Sequence, residues 1–227
     1  MARVAVWDLP LRLFHWALFI CVSGAFISVN IGGNAMVWHG RFGLTMVGLL
    51  VFRLVWGFAG STYARFSSFV RGPSVIRAYL RGEWHGLGHN PLGALSVLAM
   101  LGTLTAQATT GLFSNDDIAF QGYLAALVSS DMSSRLTGIH TLFEPVLIVL
   151  IVAHLGAIVF YTRVKKDNLV KPMIVGWKDT ATGEAARGGG LIACVLAISI
   201  ALAAVYGASG SWMPEPLPEA PQATPAW

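Results

Sequence analysis

Five long stretches run almost without charge, and they constrain the fold of this chain more than any other feature: about Leu11–Val29, Val37–Phe58, Pro91–Phe113, Gly138–Thr162 and Gly190–Gly207. Each is long enough to cross a hydrocarbon layer about 30 Å thick as a helix. An unpaired backbone amide costs several kcal/mol in such a layer, so each segment must satisfy its own hydrogen bonds, as a helix does. The expectation is an all-α integral membrane protein, a four-helix transmembrane bundle plus a fifth, C-terminal transmembrane helix. Composition agrees: 55% of the residues are hydrophobic and 11% charged, against roughly 25% charged in a soluble domain. Mean hydropathy is +0.64. The first stretch reads as an anchor rather than a cleaved leader, because Trp7, Asp8 and Pro10 precede it and no small-residue cleavage site follows.

Lys and Arg set the orientation. With the N-terminus cytoplasmic, all but Arg41, Arg53 and Arg135 of the 15 Lys and Arg fall in cytoplasmic segments. The C-terminal tail is then on the opposite side. The net charge of +4 reports this topology and attraction to anionic lipid, and gives no reason to invoke nucleic acid. Cys21 and Cys194 both lie in apolar stretches and read as buried, unpaired thiols. There is no Cys-x-x-Cys-His, no zinc-spaced cluster and no phosphate-cradling loop.

The connecting segments carry less information. The loop Ser114–Thr137 holds Asp116, Asp117 and Asp131, and its Tyr123-Leu-Ala-Ala-Leu-Val run predicts a helix lying on the membrane surface. Ala59–Asn90 mixes Arg with Phe and is expected to pack at headgroup level. After Trp212 come five prolines and no Lys or Arg, a composition without a fixed fold. The expected organisation is a membrane domain over residues 1–180, an additional helix over 190–208 and a Pro-rich tail over 213–227.

Ionisable groups at membrane depth usually face the bundle interior. Here they are His15, His39, Arg53, His140, Glu144 and His154. His140 and His154 are fourteen residues apart, about 40° short of four helical turns, so they share one face about 21 Å apart along the axis. By depth, His15 is level with His154 near the cytoplasmic side, and His39 is level with His140 near the outer side. Two neutral imidazoles on opposed helices can hold a haem iron from both axial positions, leaving no open site on the metal. Zinc prefers three or four ligands at one point. Two haem b groups with axial pairs His15/His154 and His39/His140 are therefore expected.

Arg53 repeats the fourteen-residue offset from His39, which puts it at the inner level. It is a candidate partner for an inner haem propionate, with Arg41 for an outer one; the alternative for Arg53 is that it snorkels to the inner headgroups. His89 is a second candidate for the inner ligand or a proton carrier for quinone, and His85 lies beside it in the same loop. Glu144 is a proton or ring-orienting candidate beside His140, the alternative being that it ties up the carbonyls loosened by Pro145. Pro145 is a hazard, since a helix that began there would leave His140 in a loop.

The order and spacing of several short motifs resemble the bacterial cytochrome b561 family, which includes the b-type cytochrome subunit of nickel–iron hydrogenases. The resemblance runs from about Val6 to Lys178. Its landmarks are Trp7-Asp8-Leu9-Pro10 with His15-Trp16, His39-Gly-Arg-Phe-Gly and Phe52-Arg53-Leu-Val-Trp56-Gly. Further along come Ala64-Arg-Phe-Ser-Ser-Phe, Gly88-His-Asn-Pro-Leu-Gly, Gly111-Leu-Phe-Ser-Asn-Asp-Asp, and Asn168-Leu-Val-Lys-Pro-Met with Gly176. The resemblance implies a four-helix core with two b haems, on which His15, His39, His140 and His154 match the axial positions. It also implies electron exchange between membrane quinone and a periplasmic or membrane redox partner, such as a c-type cytochrome or a hydrogenase-like enzyme, at the bacterial inner membrane. Two other functions use the same residues: a partner-independent oxidoreductase passing electrons from a small outer reductant such as superoxide to quinone, and a histidine-lined metal transporter.

Overall fold

Each of the five apolar stretches is a helix. The computed structural model describes residues 2–84, 86–118, 120–180 and 183–214; His85 and all but the first two residues of the Pro-rich tail lie outside them. A short strand β1 (Ala2–Ala5) precedes α1 (Leu9–Ile31) and α2 (Met36–Ala59). Two short helices follow, α3 (Phe66–Phe69) and α4 (Pro73–Leu80), then α5 (Pro91–Leu112) and α6 (Ser130–Arg163). The chain continues with α7 (Val170–Val175), strand β2 (Trp177–Thr180) and α8 (Gly190–Ala208). Helices α1, α2, α5, α6 and α8 are each long and apolar enough to cross a membrane.

Helix starts are written locally. Asp8 caps α1 by accepting from Leu11 N at 2.7 Å, and Asn90 caps α5 by accepting from Gly93 N at 2.7 Å, each with a proline in the first turn. Helix α1 stops at Gly32, whose φ of +69° suits glycine.

Helix α6 corrects the sequence reading at its start and agrees with it at Pro145. It begins at Ser130, inside the segment read as a loop, because the Ser129 hydroxyl accepts from Met132 N. It then continues without a break through Pro145. His140 is therefore helical, and the fourteen-residue argument stands on one continuous helix. The Tyr123–Val128 run is not a surface helix but a single 3₁₀ turn, Ala125–Leu127. Its approach is pinned to the end of α5 instead, where Leu124 N donates to Leu112 O at 2.8 Å.

Helix α2 is the hub, packed against α1, α5 and α8, while α6 packs on α5. Along the α2–α8 seam, Ala197 has no exposed surface and Ala201 is buried. A methyl group on Gly48 would lie 2.6 Å from Val205, so this seam depends on small residues, as membrane helix contacts commonly do. The fifth helix is thus fitted closely to the bundle.

A belt closes the face that carries most of the basic residues. Strands β1 and β2 pair antiparallel, from Ala2 with Thr180 to Ala5 with Trp177, a ribbon too short to leave a periodic signal in the sequence. Val6 and Trp7 amides both donate to the Gly176 carbonyl. Arg12 donates to Ile174 O and Trp16 to Met173 O, fastening α7 to α1.

Candidate functional site

The four helix-borne histidines meet in two pairs. The rings of His39 and His140 are 6.2 Å apart, centroid to centroid, and those of His15 and His154 are 6.5 Å apart. Helix α6 contributes one ring to each level.

At the outer level both rings are anchored by helix backbone. His39 Nδ1 donates to Ala25 O at 3.0 Å, and His140 Nδ1 donates to Gln107 O at 2.9 Å. A carbonyl can only accept, so the protons sit on Nδ1 and each Nε2 keeps its lone pair. The Thr110 hydroxyl, which donates to Ala106 O at 2.7 Å, is a weaker acceptor for His140 Nδ1 at 3.3 Å. The two rings line a cavity of about 220 Å³ with Gly43, Gly111, Phe120 and Glu144. A side chain on Gly43 would point into open space, whereas one on Gly111 would strike His140 at 2.9 Å. Flat space is thus kept beside one helix, and the imidazole itself fills it beside the other.

The inner level is built from side chains and loops. His15 is partly buried, and its Nδ1 has no hydrogen-bond partner. Arg53 is only 2% exposed, and both terminal guanidinium nitrogens are buried without partners. Its charge lies over the Phe66 ring at 4.8 Å and near Phe69 at 5.9 Å. Snorkelling does not describe this side chain. His89 sits between Trp7 and Phe69, 4.7 Å from each ring centroid. Burial, helped by the Arg53 charge, pushes its pKa down to about 3, so His89 is neutral in ordinary buffers.

Below this cluster is a knot that sequence reasoning passed over. Asp8, besides capping α1, accepts from Trp56 Nε1 at 3.0 Å and from the Ser61 hydroxyl. Trp56 is 2% exposed and Ser61 3%. One carboxylate therefore joins the start of α1 to the end of α2 and the loop beyond, which explains physically why Asp8 and Trp56 stand among the landmarks. Arg41 is placed differently from Arg53: it is exposed and stacks on Trp38 at 4.8 Å. Among the described residues, no three His, Cys, Asp or Glu converge on one metal-sized point.

Residues 6–176 match the family described as prokaryotic cytochrome b561. The chain belongs to that family. A relative in Azotobacter vinelandii, a probable Ni/Fe-hydrogenase B-type cytochrome subunit, is 25% identical over 222 aligned residues, covering 77% of this chain and 88% of the relative. No solved structure matches the chain significantly. Membership makes this a multi-helix membrane protein, a b-type cytochrome that carries electrons on haem b. The match stops before α8, so that helix lies outside what the family describes.

The residues present fit that cofactor. A metal between two imidazole nitrogens, at about 2.0–2.1 Å from each, sets facing ring centroids roughly 6–6.5 Å apart. Both pairs stand at that separation. At the outer level the open space beside Gly43 and the two free Nε2 atoms complete the fit.

Proposed function

We propose that the chain holds two haem b groups, the outer between His39 and His140 and the inner between His15 and His154. On them it passes electrons between membrane quinone and a redox partner on the outer side. The observation that carries this reading is the double pairing on α6, with His140 and His154 each facing a ring from another helix. Haem with both axial positions filled supplies reversible one-electron chemistry without binding substrate.

The chain's own contribution is position and potential. Ala25 O and Gln107 O fix the outer rings in the tautomer that leaves Nε2 free. Arg53, buried against Phe66 and Phe69 of α3, supplies a positive charge suited to a propionate of the inner haem. Glu144, lining the outer cavity, is placed to orient His140 or to carry a proton. Arg41, exposed and stacked on Trp38, does not line the outer cavity, and its setting lends an outer-propionate role no support.

The Lys and Arg distribution supports a cytoplasmic N-terminus in a bacterial inner membrane. The partner is a c-type cytochrome or, by analogy with the hydrogenase-subunit relative, a membrane-bound enzyme. The deciding experiment is a reduced-minus-oxidised spectrum with a haem count on detergent-purified protein. Two low-spin b haems per chain are expected, and a colourless preparation from haem-replete cells sinks the reading. Turnover with superoxide and quinone, with no protein partner present, would favour the partner-independent oxidoreductase instead.

A further inference from the structure

Besides His15 Nδ1, three buried nitrogens of the inner cluster have no hydrogen-bond partner: Arg53 Nη1 and Nη2, and His89 Nδ1. Leaving a guanidinium buried and unpaired costs several kcal/mol, a cost that a bound anion removes. Asp8 offers Arg53 its charge through space, but its oxygens accept from Leu11 N, Trp56 Nε1 and the Ser61 hydroxyl and make no hydrogen bond to the guanidinium. Both donors pack against the same ring, Phe69, and His89 lies within electrostatic reach of Arg53, His154 and His15. The two groups therefore flank one ring, Phe69, close to the inner histidine pair.

The chemistry of the occupant follows from the donors. A quinone is neutral and brings no negative charge to the Arg53 donors. A carboxylate matches the planar guanidinium with two oxygens and has lone pairs to spare for one imidazole N–H. We propose that Arg53 and His89 together form a receptor for one carboxylate of the inner haem. This rests on the two-haem reading above, and it makes His89 neither an iron ligand nor a quinone's proton donor. His89 is a positioning residue, acting through the carboxylate that it shares with Arg53.

The test loads the protein with haem b or with its dimethyl ester, which keeps the macrocycle and loses both carboxylates, and follows redox potential and haem retention. The outer haem is the internal control. Wild-type protein is expected to retain haem at the inner level about tenfold better than the ester, a preference that Arg53→Gln erases. Losing the positive charge in Arg53→Gln also disfavours the reduced form, lowering the inner potential by about 59 mV for a tenfold effect in a one-electron couple. His89→Leu shifts the potential the same way by less, and His89→Asn, which keeps a donor, restores it.

Equal retention of haem and ester by wild-type protein overturns the proposal, as does an inner haem that turns high-spin in His89→Leu. A His89→Leu protein that loses quinol turnover at unchanged inner potential overturns it in favour of a quinone contact. If Arg53→Gln does not accumulate, the wild-type comparison and the His89 variants decide. Absence of haem from wild-type protein fails the two-haem reading instead, so the two failures are distinguishable.

Discussion

The outer and inner histidine levels contain the same pair of residues in different kinds of setting. At the outer level the rings are held by helix carbonyls, Ala25 O and Gln107 O, and face a glycine-lined cavity. At the inner level no carbonyl holds His15, and the surroundings are a buried arginine, a neutral histidine and three aromatic rings, Trp7 and the Phe66 and Phe69 of α3. The first arrangement is set by helix packing, with Phe120 of the α5–α6 loop laid against His39. The second depends on the belt that ties β1, α3, α7 and the Asp8 knot together. One helix carries both levels, yet damage to the belt should reach only one of them.

The largest expected effect breaks the comparison outright. His39→Ala and His140→Ala should each remove the same outer haem, and His15→Ala and His154→Ala the same inner one, leaving half of the haem absorbance in every case. Two-level ligation fails if His140→Ala and His154→Ala abolish one and the same signal. Next in size is Asp8→Ala, which removes an N-cap and leaves the buried Trp56 indole and Ser61 hydroxyl without an acceptor. A cost of about 3 kcal/mol follows from one lost cap and two unsatisfied donors. Thermal denaturation in detergent measures it, and inner haem should be lost at lower temperature than outer haem. Equal loss from both levels breaks the asymmetry.

Gly48→Leu tests a third region against both. The new side chain meets Val205 on α8, and overpacking of this kind costs about 1–3 kcal/mol. Because Gly48 lies on the α2 face away from the ring pairs, the expected result is a lower denaturation temperature with two haems and unchanged spectra. Spectral change at either level would tie α8 to the cofactor sites.

The helices and the two levels were legible because each rests on a long-range regularity: charge-free runs and a fourteen-residue spacing on a 3.6-residue period. What escaped was short or made of backbone. A four-residue ribbon has no period to detect, and Ser129 as a cap is one residue among many similar serines. Gln107 acts through its carbonyl, which every residue has, so no side-chain pattern could mark it. Asp8 was visible as part of a motif, but its three acceptor bonds join residues 8, 56 and 61 and exist only once α1 and α2 are packed. Arg53 stood out by its fourteen-residue offset from His39, yet its aromatic bed of Phe66 and Phe69 comes from the short helix α3 folding back.

The smallest effect sharpens the claim that backbone orients the outer rings. Thr110 Oγ1 approaches His140 Nδ1 at 3.3 Å, while Gln107 O accepts from it at 2.9 Å. Thr110→Val removes the longer contact to His140 and the hydroxyl's own bonds to Ala106 O and Gln107 O, but leaves Gln107 O as the ring's acceptor. The free energy of reducing the outer haem should therefore move by no more than roughly 0.5 kcal/mol, the low end for one hydrogen bond. Gly111→Ala attacks the shorter contact indirectly, since its methyl would stand 2.9 Å from His140 Cε1 and push the ring off the Gln107 carbonyl. Its shift in the outer potential should exceed that of Thr110→Val, with the inner potential unchanged in both. The reverse order would mean that the threonine hydroxyl, and not the helix carbonyl, sets the orientation of His140.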